Sequence, residues 1–172
     1  MILASYNLLR VENIDGFTSV AEFLKKYDDR VWLHEGLSIS EIESFSETIG
    51  ATLPRDFIDL YRLINGGNCF GLDIRSMCFE PQYILQMDKR DVFERDGKHY
   101  LDFAHYSFGD MVCVELNNEN GVVIQISHET GEIECTWKGI LEFFAEFFEE
   151  TKGLIDEGCF KPKPIKIRLK KA

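Results

Sequence analysis

Residues 39–67, ISEIESFSETIGATLPRDFIDLYRLINGG, decide how this chain folds. The spacing predicts two short helices joined by a Leu-Pro corner. Ser40 stands where a first cap is needed, and Glu43, three residues on, completes a capping box. Ile42, Phe45 and Ile49 recur at helical spacing, and Gly50 falls where a left-handed terminating residue belongs. Pro54 suits the first turn of the second helix, because its missing N–H would have no intrahelical partner there. Phe57, Leu60, Tyr61 and Ile64 give that helix its apolar stripe, and Asn65-Gly66-Gly67 is expected to end it. The stretch offers no nucleophile, metal ligand or phosphate cradle, so it predicts architecture and leaves the chemistry open.

Upstream, Thr18 to Tyr27 reads as a helix. Thr18 is its cap, Val20, Phe23, Leu24 and Tyr27 form its stripe, and Lys25 and Lys26 suit its carboxyl end. Asp28–Leu37 reads as a connector whose Trp32 is expected to wedge against the following helix pair. Downstream the period changes. Cys69, Phe70, Leu72 and Ile74 suggest a strand, Met77–Phe79 another, and Pro81 to Phe93 a helix opening at Pro81. Asp96-Gly97 is a turn before a strand at Lys98–Phe103.

The firmest β pattern follows. Met111–Leu116, then Val122, Ile124 and Ile126 after Asn120-Gly121, then Ile133, Cys135 and Trp137 after Thr130-Gly131, describe an antiparallel meander with one buried face. Ile140, Phe143, Phe144, Phe147 and Phe148 mark a last helix, with Glu142, Glu146, Glu149 and Glu150 on its remaining surface. Helices packed around a largely antiparallel sheet make the fold class α+β. The 172 residues suit one domain, with a core over about residues 30–150 and a strand-like basic tail at 161–172.

Charge bounds the function. The formal net charge is −11, and residues 161–172, KPKPIKIRLKKA, carry six of the 19 basic residues and no acid. The remaining body sets 13 basic against 30 acidic residues, a net of −17. Such a body repels nucleic acid and attracts basic partners. In the tail, Ile165, Ile167 and Leu169 alternate with Lys166, Arg168 and Lys170, which fits an edge strand of its own sheet or a strand offered to a partner. No apolar run approaches the roughly 20 residues of a membrane span. The first residues start apolar but have no basic region before them and no long apolar run, so a secretory signal is not expected and a cytoplasmic location is. The five cysteines, Cys69, Cys78, Cys113, Cys135 and Cys159, form no C-x-x-C pair and read as small buried hydrophobes in a reducing compartment.

Catalytic and metal-binding patterns are sparse. His34, His99, His105 and His128 make no H-x-x-x-H spacing, and no nucleophile elbow or phosphate loop occurs. His128-Glu129 reads as a solvated turn pair. Asp102, His105 and Asp110 are the best local group for acid–base work, although an Asp after Gly more commonly serves a turn. Cys69 has no nearby base to activate it. No cofactor, metal site or catalytic residue is expected.

One set of residues carries a likeness. Ile42, Phe45, Gly50, Leu53, Pro54, Phe57, Leu60, Asn65, Gly66 and Gly67, followed by Phe103-Ala104, Gly109-Asp110 and the Phe-rich last helix, resemble the SMI1/KNR4 family, also called the SUKH superfamily. The likeness covers roughly residues 30 to 150. It departs at Tyr106-Ser107-Phe108-Gly109-Asp110, where the family often has a glycine-richer turn. The resemblance implies structural roles for Gly50, Leu53, Pro54, Asn65, Gly66, Gly67, Gly109 and Asp110. It also implies a non-catalytic immunity protein that occupies a cognate toxin, often a nuclease, or alternatively a regulator of the cell-wall-synthesis type. An acidic protein can fill the basic cleft of a nuclease. Asp102, Asp110, Glu142, Glu146, Glu149 and Glu150 are the carboxylates expected to meet such a partner.

Overall fold

The computed structural model describes residues 18–27, 31–77 and 86–159. Among them are four α-helices, α1 (Thr18–Lys26), α2 (Ile39–Ile49), α3 (Arg55–Leu63) and α4 (Ile140–Asp156). Eight strands accompany them: β1 (Val31–Glu35), β2 (Ile64–Cys69), β3 (Leu72–Ile74), β4 (Val92–Arg95), β5 (Lys98–Tyr106), β6 (Met111–Glu115), β7 (Val123–Ile126) and β8 (Ile133–Trp137). The strands form one sheet in the order β1-β2-β3-β5-β6-β7-β8, and β4 pairs the first half of β5 beside β3. Neighbouring strands run antiparallel, so the α+β expectation holds.

The helix pair forms as its spacing predicts, with a shifted start. Ser38, not Ser40, caps α2: its hydroxyl accepts from Glu41 N–H while the Glu41 carboxylate accepts from Ser38 N–H. The chain holds two overlapping S-x-x-E boxes, beginning at Ser38 and Ser40, and the helix starts from the earlier one. Gly50 closes α2 in the left-handed region, at φ 70°. Pro54 is extended and immediately precedes α3.

The largest correction concerns Asn65-Gly66-Gly67. These residues do not stop α3 by a turn; the helix ends at Leu63 and the chain passes directly into β2. A Cβ on Gly67 would lie 2.1 Å from the Trp32 carbonyl oxygen of β1. The glycines are there because two backbones approach closely. Asn65 is buried, and its side-chain oxygen accepts from Ser76 Oγ and Met77 N–H, tying β2 to the chain beyond β3.

Other expectations change for similar tertiary reasons. Part of the supposed connector is β1, and Trp32 is 54% exposed rather than wedged under the helices. The supposed strand at Cys69–Ile74 is split by a turn at Phe70-Gly71. Met77 lies in no strand, and Cys78 to Leu85 fall outside the described residues, as does the tail at 161–172. In place of the later part of a helix from Pro81 there is a Ser76–Gln86 bridge, a 3-10 turn at Lys89–Asp91, and β4. Thr18 is the first residue of α1 and not a preceding cap.

The main core joins all four helices to the sheet. Val20 and Leu24 of α1, Ile42 and Phe45 of α2, Phe57 and Tyr61 of α3 and the α4 phenylalanines meet Leu101, Phe103, Val112, Val114, Val123 and Trp137. Phe57 and Phe143 are fully buried, each contributing about 2 to 3 kcal/mol by removal from water. A second, smaller cluster of strand residues, Tyr100, Cys113, Ile124 and Ile126, sits on the other side of the sheet. The meander is therefore apolar on both faces at β6 and β7. At the β8 edge the expected buried face reduces to Trp137, since Ile133 to Thr136 are exposed.

Candidate functional site

α4 is fixed by its aromatic stripe. Phe143 meets Trp137 edge-on at 5.1 Å and Phe103 at 6.2 Å, and Phe148 stacks on Phe23 at 4.0 Å. That packing turns Glu142, Glu146, Glu149 and Glu150 to solvent. Glu142 also accepts from Lys138 N–H, serving the helix start that Gly139 cannot cap with a side chain. Glu146 accepts from the Trp137 indole N–H at 2.9 Å.

Two neighbouring groups register the resulting field. Burial pushes the Tyr106 hydroxyl up to about 12, with Glu150, Cys135, Glu146 and Asp110 adding to the shift. The Cys135 thiol is raised by burial and then by Glu146, Glu134 and Glu150. Phe108, 59% exposed, stacks on Tyr106 at 5.0 Å and leaves an aromatic surface beside these carboxylates.

The two aspartates are placed differently. Asp102 is 7% exposed, and its Oδ2 accepts from Arg75 Nη1 at 2.9 Å and His105 Nε2 at 2.7 Å. Arg75 also pairs with Asp91 at 2.8 Å and donates to the Gln86 carbonyl. Asp110 is 4% exposed; its Oδ1 accepts from the His128 N–H and ring Nδ1, and its Oδ2 accepts from Gln125 Nε2. Desolvation would raise the Asp110 carboxyl, but these hydrogen bonds hold it down at about 2. Thus His105 joins Asp102, while Asp110 joins His128, which lies with Glu129 in an exposed turn as expected and also engages Asp110. Arg75, Asp91 and Gln125 had no local sequence signal, because each meets its partner only in the folded chain. Among the described residues, no three His, Cys, Asp or Glu side chains converge as metal ligands. Cys69 and Cys113 are buried, whereas Cys135 and Cys159 are exposed, against the expectation of burial; Cys78 is outside the described residues.

A groove runs over the Leu-Pro corner. Thr52 N–H donates to Asn117 Oδ1 and Asn117 N–H to the Thr52 carbonyl, each at 2.9 Å, clamping the corner to the β6–β7 turn. Beside it lies a concavity of about 340 Å³ between α2 and α3, floored by Ile42, Leu53 and Ile58. A second, of about 330 Å³, shares Leu53 and Ile58 and reaches Asn118 and Glu119. A third, of about 620 Å³, continues from Arg55 and Glu119 to Lys138 and Glu142.

The family model described as SMI1 / KNR4 family (SUKH-1) matches residues 36–150, about two thirds of the chain. The chain belongs to the SMI1/KNR4 (SUKH-1) family. The matched span begins before α2 and ends within α4, so it contains the Leu-Pro corner, the groove and the α4 carboxylates. No curated protein matches the chain significantly. SUKH-1 membership carries a binding role of the immunity or regulatory type, in a family that is generally non-catalytic. Among the described residues, no helix is long and apolar enough to cross a membrane.

Proposed function

We propose that this SUKH-1 chain is a cytoplasmic immunity protein that binds and neutralises a cognate toxin domain, without turnover of its own. Its family membership carries this reading. The charge of the body supports a basic partner, such as a nuclease whose cleft is built for phosphate, because 30 acids face 13 bases outside residues 161–172. The exposed α4 carboxylates Glu142, Glu146, Glu149 and Glu150 contribute to attracting it. Asp102 and Asp110, each engaged by a histidine and further donors, hold the sheet that carries that surface.

Co-expression tests the proposal. A cognate toxin domain, sought among the neighbouring genes, is expected to arrest growth alone and to be silenced by this protein, with a one-to-one complex recovered by size exclusion. Continued arrest with both proteins soluble would refute it.

A further inference from the structure

We propose that the groove over the Leu-Pro corner, from α2 across α3 to the start of α4, is the seat of a basic, amphipathic segment of the partner. The inference rests on the partner-binding reading and adds the place and chemistry of contact. Three features of the groove carry it.

The first is continuity. The three concavities share Leu53 and Ile58 at one junction and Arg55 and Glu119 at the next, so they form one channel. The second is its amphipathic lining. Ile39, 44% exposed, stands at the α2 end over Ile42, Leu53 and Ile58, an apolar strip that water leaves favourably when another apolar side chain covers it. The third is charge. Along the whole channel five carboxylates, those of Glu43, Glu47, Asp56, Glu119 and Glu142, face two cations, Arg55 and Lys138. Desolvation and then the nearby Asp59 raise the Asp56 carboxyl, against the opposing pull of Arg55, so a further cation seated there favours its ionised form. An occupant with leucine-like residues on one face and lysine or arginine on its margins meets both linings at once.

The groove is also held in shape before any partner arrives. The paired Thr52–Asn117 hydrogen bonds fix its middle. Gly139, at the α4 end, lies 3.1 Å by its virtual Cβ from the Asn120 carbonyl and 3.4 Å from Asp56 Oδ2. A pre-organised receptor loses less entropy on binding. The motif residue Leu53, read from sequence as scaffold, thus also floors a surface.

The test uses the full chain and a defined probe. An amphipathic Leu/Lys peptide of about 14 residues, long enough for roughly four helical turns, is titrated into isotope-labelled protein and followed by NMR. Its Leu/Glu counterpart is titrated in parallel. Shifts are expected at Ile39, Ser46, Thr52, Ile58 and Glu119 with the basic peptide alone. Ile39→Lys and Glu47→Lys, both at exposed positions of α2, should each weaken the basic peptide about tenfold, and Glu94→Lys on β4 should not. Shifts elsewhere, equal binding of both peptides, or no binding overturns the groove assignment. The same variants are then assayed against the cognate toxin domain. Full affinity in both α2 variants overturns the groove and leaves the immunity reading standing. Failure of every toxin to bind, with the peptide result intact, overturns the immunity reading instead.

Discussion

Gly121 lies against Pro54 so closely that a Cβ on the glycine would stand 2.4 Å from the proline Cβ and Cγ. The contact joins the β6–β7 turn to the Leu-Pro corner, two parts of the chain remote in sequence. Gly121 also has φ 55°, which costs any residue with a Cβ. Gly121→Ala therefore combines backbone strain with a steric clash, and should lower stability by about 3 kcal/mol. Thermal unfolding measures this. A loss below about 0.5 kcal/mol, the range of ordinary surface changes, would mean that the corner and turn are not locked.

Asp110 predicts an acid-labile region. Its folded carboxyl sits at about 2, below the ordinary value of about 3.9 for Asp. A carboxyl with a depressed folded value stabilises above its unfolded value and loses that stabilisation as pH falls through the folded one. The Asp110 contribution should thus be complete above about pH 4 and vanish toward pH 2. Asp110→Asn should reduce stability at neutral pH by about 2 kcal/mol, since bonds from His128 and Gln125 lose their ionic acceptor. It should also flatten the denaturation curve between those pH values. An unchanged acid limb in the variant would assign the acid sensitivity to other groups.

The cysteines should divide by reactivity in the native state. Cys69 is buried and its thiol is pushed up to about 12 by desolvation, and Cys113 is likewise buried. Neither presents a thiolate at neutral pH. Cys135 and Cys159 are exposed. Alkylation followed by peptide mapping should label these two before unfolding, and Cys69 and Cys113 only after it. Early labelling of Cys69 or Cys113 would show that the sheet opens on the labelling timescale.

Local features were legible in the sequence, and those that depend on a distant partner were not. Gly50, the α2 stripe and the α4 stripe Ile140–Phe148 follow from helical periodicity and cap chemistry, which act within a few residues. Asn65-Gly66-Gly67 looked like a turn because glycine punctuates chains, whereas the reason for Gly67 is the Trp32 carbonyl of β1. Ser38 and Ser40 offered the same box, and the helix uses the one at Ser38. The pairing of Asp110 with His128, 18 positions apart, needed the β6–β7–β8 pairing to exist first. The groove was hidden for the same reason: its floor comes from two helices and the corner between them, and its rim from a turn between strands and the start of α4. Composition nevertheless carried the sign of the body's own charge, because net charge survives any arrangement of the chain.

The central claim is that an acidic SUKH-1 protein draws in a basic partner, and its association rate tests it most directly. Stopped-flow mixing with the cognate toxin domain, from about 0.05 to about 0.5 M salt, shortens the screening length from roughly 14 to 4 Å. The association rate constant should fall by at least about tenfold across that range, with a much smaller change in the dissociation rate. A rate constant that stays flat with salt would contradict the account.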